Sequence, residues 1–139
     1  MKKDINFFKL TNRELEVMRV FWNSDTPKTA TDIESELIAN GFTDKKNNIF
    51  TVQNMLKSLL NKGAIEVASY KRVQKTTARE YIAHISDEEY AIMYVNHHFP
   101  SKNKTLTSNI VASFLDYDEN EEDTINALEK LLAERRAKL

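Results

Sequence analysis

The residues best suited to chemistry lie between Lys45 and Arg79. Eight of those 35 residues are basic (Lys45, Lys46, Lys57, Lys62, Lys71, Arg72, Lys75 and Arg79) and one, Glu66, is acidic, a local net charge of +7. Cations at this density suit phosphates, because Lys and Arg donate charge-assisted bonds to phosphate oxygens and displace condensed counterions. Residues 49–62 add a second kind of chemistry. Ile49, Val52, Leu56, Leu59 and Leu60 fall within an arc of about 100° at helical spacing. The opposite side holds Phe50, Thr51, Asn54, Ser58 and Asn61, with Gln53 at the edge of the apolar arc. Short amides and hydroxyls both donate and accept. They suit base edges, where Asn can bond adenine in a bidentate way and Thr can meet a thymine methyl.

Other chemistries lack their groups. The absence of cysteine excludes a disulfide framework, a thiol nucleophile and a Cys-based metal centre. His97 and His98 are adjacent, so on a helix they point about 100° apart. No well-spaced acid completes a metal site with them. No serine is set beside a histidine base. Gly41 and Gly63 are the only glycines in 139 residues, too few for a phosphate-cradling loop or a dinucleotide fingerprint. The acidic run from Asp116 to Asp123 lacks the glycine and ligand spacing of a calcium loop. The expectation is a protein that is not an enzyme and needs neither metal nor cofactor. No apolar run approaches the roughly 18 residues of a membrane span, and the N-terminus lacks the apolar core of a signal peptide. A cytoplasmic protein with no membrane insertion is expected.

The elements that must position these residues can be read in order. Thr11 and Glu14 form a capping box, followed by an apolar face of Leu15, Met18, Phe21 and Trp22, with Val17 and Val20 off it. Thr29 with Asp32 opens a second helix carrying Ile33, Leu37 and Ile38, and Gly41 ends it. Asn48 caps the third helix and Gly63 stops it, since glycine takes the left-handed conformation cheaply. Residues 64–70 and 79–85 are β-rich, and the polar stretch 71–77 between them reads as a loop. Together they predict a hairpin with Lys71, Arg72 and Lys75 at its tip. Three helices and a basic-tipped hairpin are the order of a winged helix-turn-helix, where the third helix enters the major groove and the hairpin touches the backbone.

The formal charge of −1 conceals a division. Residues 1–85 carry +4 and residues 86–139 carry −5, which predicts a polyanion-binding domain over 1–85 and a second domain over 86–139. In the second half, 87–98, 105–117 and 120–138 read as helices. Leu106, Ile110, Phe114 and Tyr117 stripe the middle one, and Ile125, Leu128, Leu131 and Leu132 the last. Three short helices make a poor isolated core, so mutual burial in a dimer is expected. The fold class is mostly α with a small antiparallel β wing: a winged helix followed by a three-helix dimerisation domain.

The segments Leu10–Trp22, Thr51–Gly63 and Asn109–Leu115 resemble the penicillinase-repressor family of transcriptional regulators (BlaI/MecI/CopY). The resemblance implies a homodimeric repressor on a palindromic operator of double-stranded DNA. It implies base contacts from Thr51 and Asn54, with Gln53 close to the DNA. Phe50 and Ser58 stand where relatives often carry Lys and Arg. Taken with the basic pattern, the expected DNA-binding set is Lys45, Lys46, Asn48, Phe50, Thr51, Gln53, Asn54, Lys57, Ser58, Lys71, Arg72 and Lys75. The expected dimer contacts are Ile110, Phe114, Ile125, Leu128 and Leu132. In one branch of the family a sensor-linked protease inactivates the repressor by cleavage just before a Phe in the tail. The matching bond here is Ser113–Phe114, with Ser where relatives often have Asn. The alternative reading is a winged-helix protein-interaction module, without sequence-specific DNA binding, that uses Phe50 as its anchor.

Overall fold

The computed structural model describes residues 7–41, 48–99 and 106–139. They form α1 (Asn12–Trp22), α2 (Ala30–Ala39), α3 (Ile49–Lys62), β1 (Ile65–Val73), β2 (Thr76–Ala83), α4 (Asp87–His98), α5 (Leu106–Asp116) and α6 (Glu121–Ala137). The fold is mostly α with one two-stranded antiparallel wing among the described residues.

Local chemistry sets the helix starts. The expected capping box of α1 is present: the Thr11 hydroxyl accepts from the Glu14 N–H, and the Glu14 carboxylate accepts from the Thr11 N–H. Thr29 and Asp32 do the same at α2. Asn48 accepts from the Thr51 N–H at 2.9 Å. At the helix ends, Gly41 has φ +85° and Gly63 φ +82°, a conformation that an L side chain strains to reach.

The core of the first unit is built by Val17, Met18, Ile33, Leu37, Val52, Leu56, Leu59, Ala64, Ile65 and Ile85, each 2% exposed or less. Val17 and Val20 are buried although they lie off the stripe of Leu15, Met18, Phe21 and Trp22. The reason is tertiary: α1 packs against α2, α3 and β2 together, so most of its circumference is covered. The Trp22 indole donates to the Ile85 carbonyl at 2.9 Å, tying α1 to the chain just beyond β2. Lys28 exchanges two backbone bonds with Tyr81, at 3.0 and 2.8 Å, which pins the loop before α2 to the root of the wing.

The wing differs from the expected short strands and long loop. The strands run through the basic stretch and pair down to Val73 opposite Thr76, leaving only Gln74 and Lys75 in the turn. Residues 71–77 contain no Gly or Pro to break the ladder, while Val73, Thr76 and Thr77 favour it. Gln74 closes the turn at φ +55°, because two-residue hairpins need a left-handed first residue to match strand twist. Gln74→Gly is therefore expected to raise stability by about 0.5–1 kcal/mol in urea unfolding; an unchanged midpoint would mean that the turn carries no strain. A register shift between Val67 and Ser69 bulges β1 at its midpoint, which adds twist.

The expected domain boundary after Ile85 moves. The chain divides between His98 and Phe99, so α4 belongs to the first unit. Aromatic anchoring explains this. The Tyr90 hydroxyl accepts from the Leu10 N–H at 3.1 Å, and its ring lies 6.0 Å from Phe8 and 6.3 Å from Trp22. At the far end of α4, His97 stacks on Phe7 with ring centroids 3.5 Å apart. Among the described residues the second unit thus contributes α5 and α6 rather than three helices. Most of α6 is exposed and none of its residues is buried. No helix of the described residues is long and apolar enough to cross a membrane.

Candidate nucleic-acid interface

The core-facing stripe of α3 decides what its other side presents. Val52, Leu56 and Leu59 are buried. Phe50, Gln53, Asn54, Lys57 and Asn61 are exposed, and the first four follow the spacing i, i+3, i+4, i+7 of a single helical stripe. The structure therefore presents one apolar ring, two amides and one cation in a row on the outward face.

Two expected members of this face are otherwise engaged. The Thr51 hydroxyl donates to Asn48 Oδ1 at 3.1 Å, within the N-cap. Both residues are brought to the start of α3, but as each other's partners. Ser58 is withdrawn more decisively. It is half-buried and donates to Glu14 Oε2 at 2.8 Å. Helical period puts it on the side away from the apolar arc, so its burial comes from α1, which packs against α3. Ser58 is thus corrected from a DNA contact to a link between α1 and α3. Lys45 and Lys46 lie outside the described residues.

Glu14 is the residue that sequence reasoning undervalued. It is only 4% exposed. One oxygen completes the capping box at 3.0 Å and also takes a bond from the Lys62 ammonium; the other takes the Ser58 hydroxyl. Burial pushes this carboxyl up, but Lys62, the Thr11 N–H and Ser58 together outweigh it and hold the pKa below the ordinary carboxylate value. Lys62 also donates to the Lys9 carbonyl at 2.9 Å. One buried anion therefore ties the start of α1 to the last two turns of α3. The capping box signalled Glu14, but nothing local in the chain points to partners 44 and 48 residues away.

In the wing, Lys71, Arg72 and Lys75 are all exposed. Lys75 occupies the turn, and Arg72 pairs with Thr77 close behind it. Lys71 lies close enough to α2 for its charge to act on Asp32. That carboxyl is held below its usual value first by the Thr29 N–H, against the opposing effect of burial, and then by the Thr29 hydroxyl, Lys71 and Lys28. Arg79, exposed and opposite Tyr70, adds a further cation that the expected set omits. Its place appears only once the strand register is known.

A helical core, an outward polar helix and a cation-bearing hairpin define a winged-helix protein. The family model described as penicillinase repressor matches residues 10–134; the chain belongs to that family. No curated protein matches. Among solved structures, one described as a structure of prokaryotic transcription factors is similar at 24% identity over 58% of each chain, with a TM-score of 0.44. A ferric uptake regulator from Francisella tularensis, with iron, shows 26% identity over 60% of this chain and 58% of its own, with a TM-score of 0.43. A peroxide-sensing regulator, PerR from Streptococcus pyogenes, shows 15% identity over 69% of this chain and 74% of its own, at 0.42. This chain thus spans somewhat under three-fifths of the first of these structures.

Proposed function

We propose that this chain is a sequence-specific DNA-binding repressor that acts in the cytoplasm as a homodimer on a palindromic operator. The observation that carries the reading is the exposed row Phe50, Gln53, Asn54 and Lys57 on α3, followed by a wing with cations at and behind its turn. In winged helices an exposed third helix meets base edges and the hairpin meets phosphates. Gln53 and Asn54 read bases, while Lys57, Arg72 and Lys75 set register on the backbone. The two-fold axis comes from α5 and α6, through Ile110, Phe114, Ile125, Leu128 and Leu132. Phe114 is 74% exposed and Leu132 63%, apolar surface of the kind a second copy would cover. Inactivation follows the family's cleavage, by a sensor-linked protease at Ser113–Phe114. A cut there falls within α5 and detaches α6 from the rest of the chain.

The test is selection of bound sequences from random duplexes, followed by titration at several salt concentrations. Two half-sites about one helical turn apart are expected, and an affinity that falls steeply with salt. Recovery of no common sequence would overturn the reading. Asn54→Ala is expected to lose about 1–3 kcal/mol on the selected site and little on unrelated DNA. Equal loss on both would remove Asn54 from base reading. Arg72→Ala and Lys75→Ala should each reduce the salt slope by about one contact; an unchanged slope would take the wing off the phosphates.

A further inference from the structure

We infer that Phe50 is a specificity-determining residue that reads a thymine 5-methyl group in the operator half-site. The inference rests on the DNA-binding function proposed above and adds the chemical group recognised. Phe50 lies in the first turn of α3, the part of a groove-reading helix that reaches base edges. Its side chain is 72% exposed, an arrangement that leaves a large apolar ring in water unless a partner covers it. The surroundings specify the partner. The residues that share its stripe, Gln53, Asn54 and Lys57, are polar and exposed, so the ring is a single apolar point on a hydrogen-bonding face. A protein partner that buried it would also have to satisfy two amides and a lysine.

The major groove offers the matching pattern. Its floor is polar except where thymine projects its methyl group, the one apolar feature that base pairs present there. Asn and Gln suit the adenine edge, which carries an acceptor and a donor side by side. A stripe of one ring and two amides therefore matches a half-site with A·T pairs read from both strands, the ring on a thymine methyl and the amides on adenine. A cation at this position would favour guanine or phosphate instead.

Uracil isolates the contact, because it keeps every hydrogen-bonding atom of thymine and lacks only the methyl group. Each thymine of the selected half-site is replaced singly by uracil, and binding is measured with the full chain. One position is expected at which wild-type affinity falls about threefold to tenfold. Phe50→Ala should bind the thymine duplex with that same lowered affinity and ignore the replacement. Its thermal midpoint should match wild type, since the ring is outside the core. Wild-type binding unmoved by uracil at every position would overturn the inference while leaving DNA binding intact. So would a Phe50→Ala variant that binds as wild type or keeps the uracil sensitivity. Failure of the wild type to bind any duplex would instead overturn the repressor function, and this inference with it.

Discussion

Glu14→Ala is expected to cost about 2–4 kcal/mol of folding stability, a large part of what holds a domain of this size together. The carboxylate is nearly buried and accepts from the Thr11 N–H, Ser58 and Lys62. Removing it takes away half of the α1 capping box and the carboxylate partner of three donors, two of which belong to α3. The same group makes stability depend on pH, and the sign follows from the direction of its shift. The folded-state pKa lies below the ordinary value of 4.5, so the unfolded chain takes up the proton first as pH falls. Glu14's contribution is therefore complete above about pH 5 and is lost as pH drops through 4.5 toward the folded pKa. Asp32, held down chiefly by the Thr29 N–H, adds to the same acid limb. Glu14→Gln keeps the shape and an acceptor but removes the charge. Urea unfolding at pH 7 and at pH 4 should show a smaller difference for Glu14→Gln than for wild type. Parallel loss in the two proteins would assign the acid limb to other groups. Because Ser58 and Lys62 sit in the last two turns of α3, Glu14 variants should also weaken DNA binding without touching DNA.

What was legible in the sequence follows from the range of the interactions. The capping boxes of α1 and α2 are pairs three residues apart, so Thr11 with Glu14 and Thr29 with Asp32 could be read locally. The outward stripe of α3 was legible for the same reason: helical period alone separates Asn54 from Leu56. Ser58 shows the limit of period. Period places it outside the apolar arc, and only α1, which sets Glu14 beside it, turns it inward. Val17 and Val20 escaped because a stripe reading assumes one buried face, whereas α1 is enclosed by several elements. The strands extend beyond the expected ones because 71–77 is mostly polar, and no two-residue turn signal within it marks where the chain reverses. Gln74 takes a left-handed conformation that its type disfavours, and cross-strand pairing imposes it. The unit boundary moved because Tyr90 reaches back some 80 residues to Leu10, a contact that no local pattern contains.

Phe114→Asp is the second large effect expected, and it tests the proposed homodimer. The described part of the second unit offers α5 and α6, and α6 buries no residue within the chain. Phe114, Leu131 and Leu132 are 74%, 48% and 63% exposed, while Ile110, Ile125 and Leu128 are half-buried. These residues follow the two helical stripes, so the exposed apolar groups form continuous faces on α5 and α6. If a second copy covers those faces, a carboxylate at position 114 is buried without a partner. The dimer should then weaken by at least about a hundredfold. Sedimentation should show dimer for wild type and monomer for the variant at micromolar concentration. The first unit has its own core, so its thermal midpoint should not move. Operator affinity should fall about 10²–10⁴-fold, because two linked half-site contacts become separate bimolecular events. Binding to a single half-site should change little, which distinguishes lost dimerisation from damage to α3. A Phe114→Asp protein that still sediments as a dimer would place the two-fold contact elsewhere. Leu132→Asp supplies the companion test on α6: if the two helices build one interface, each substitution alone should give the monomer.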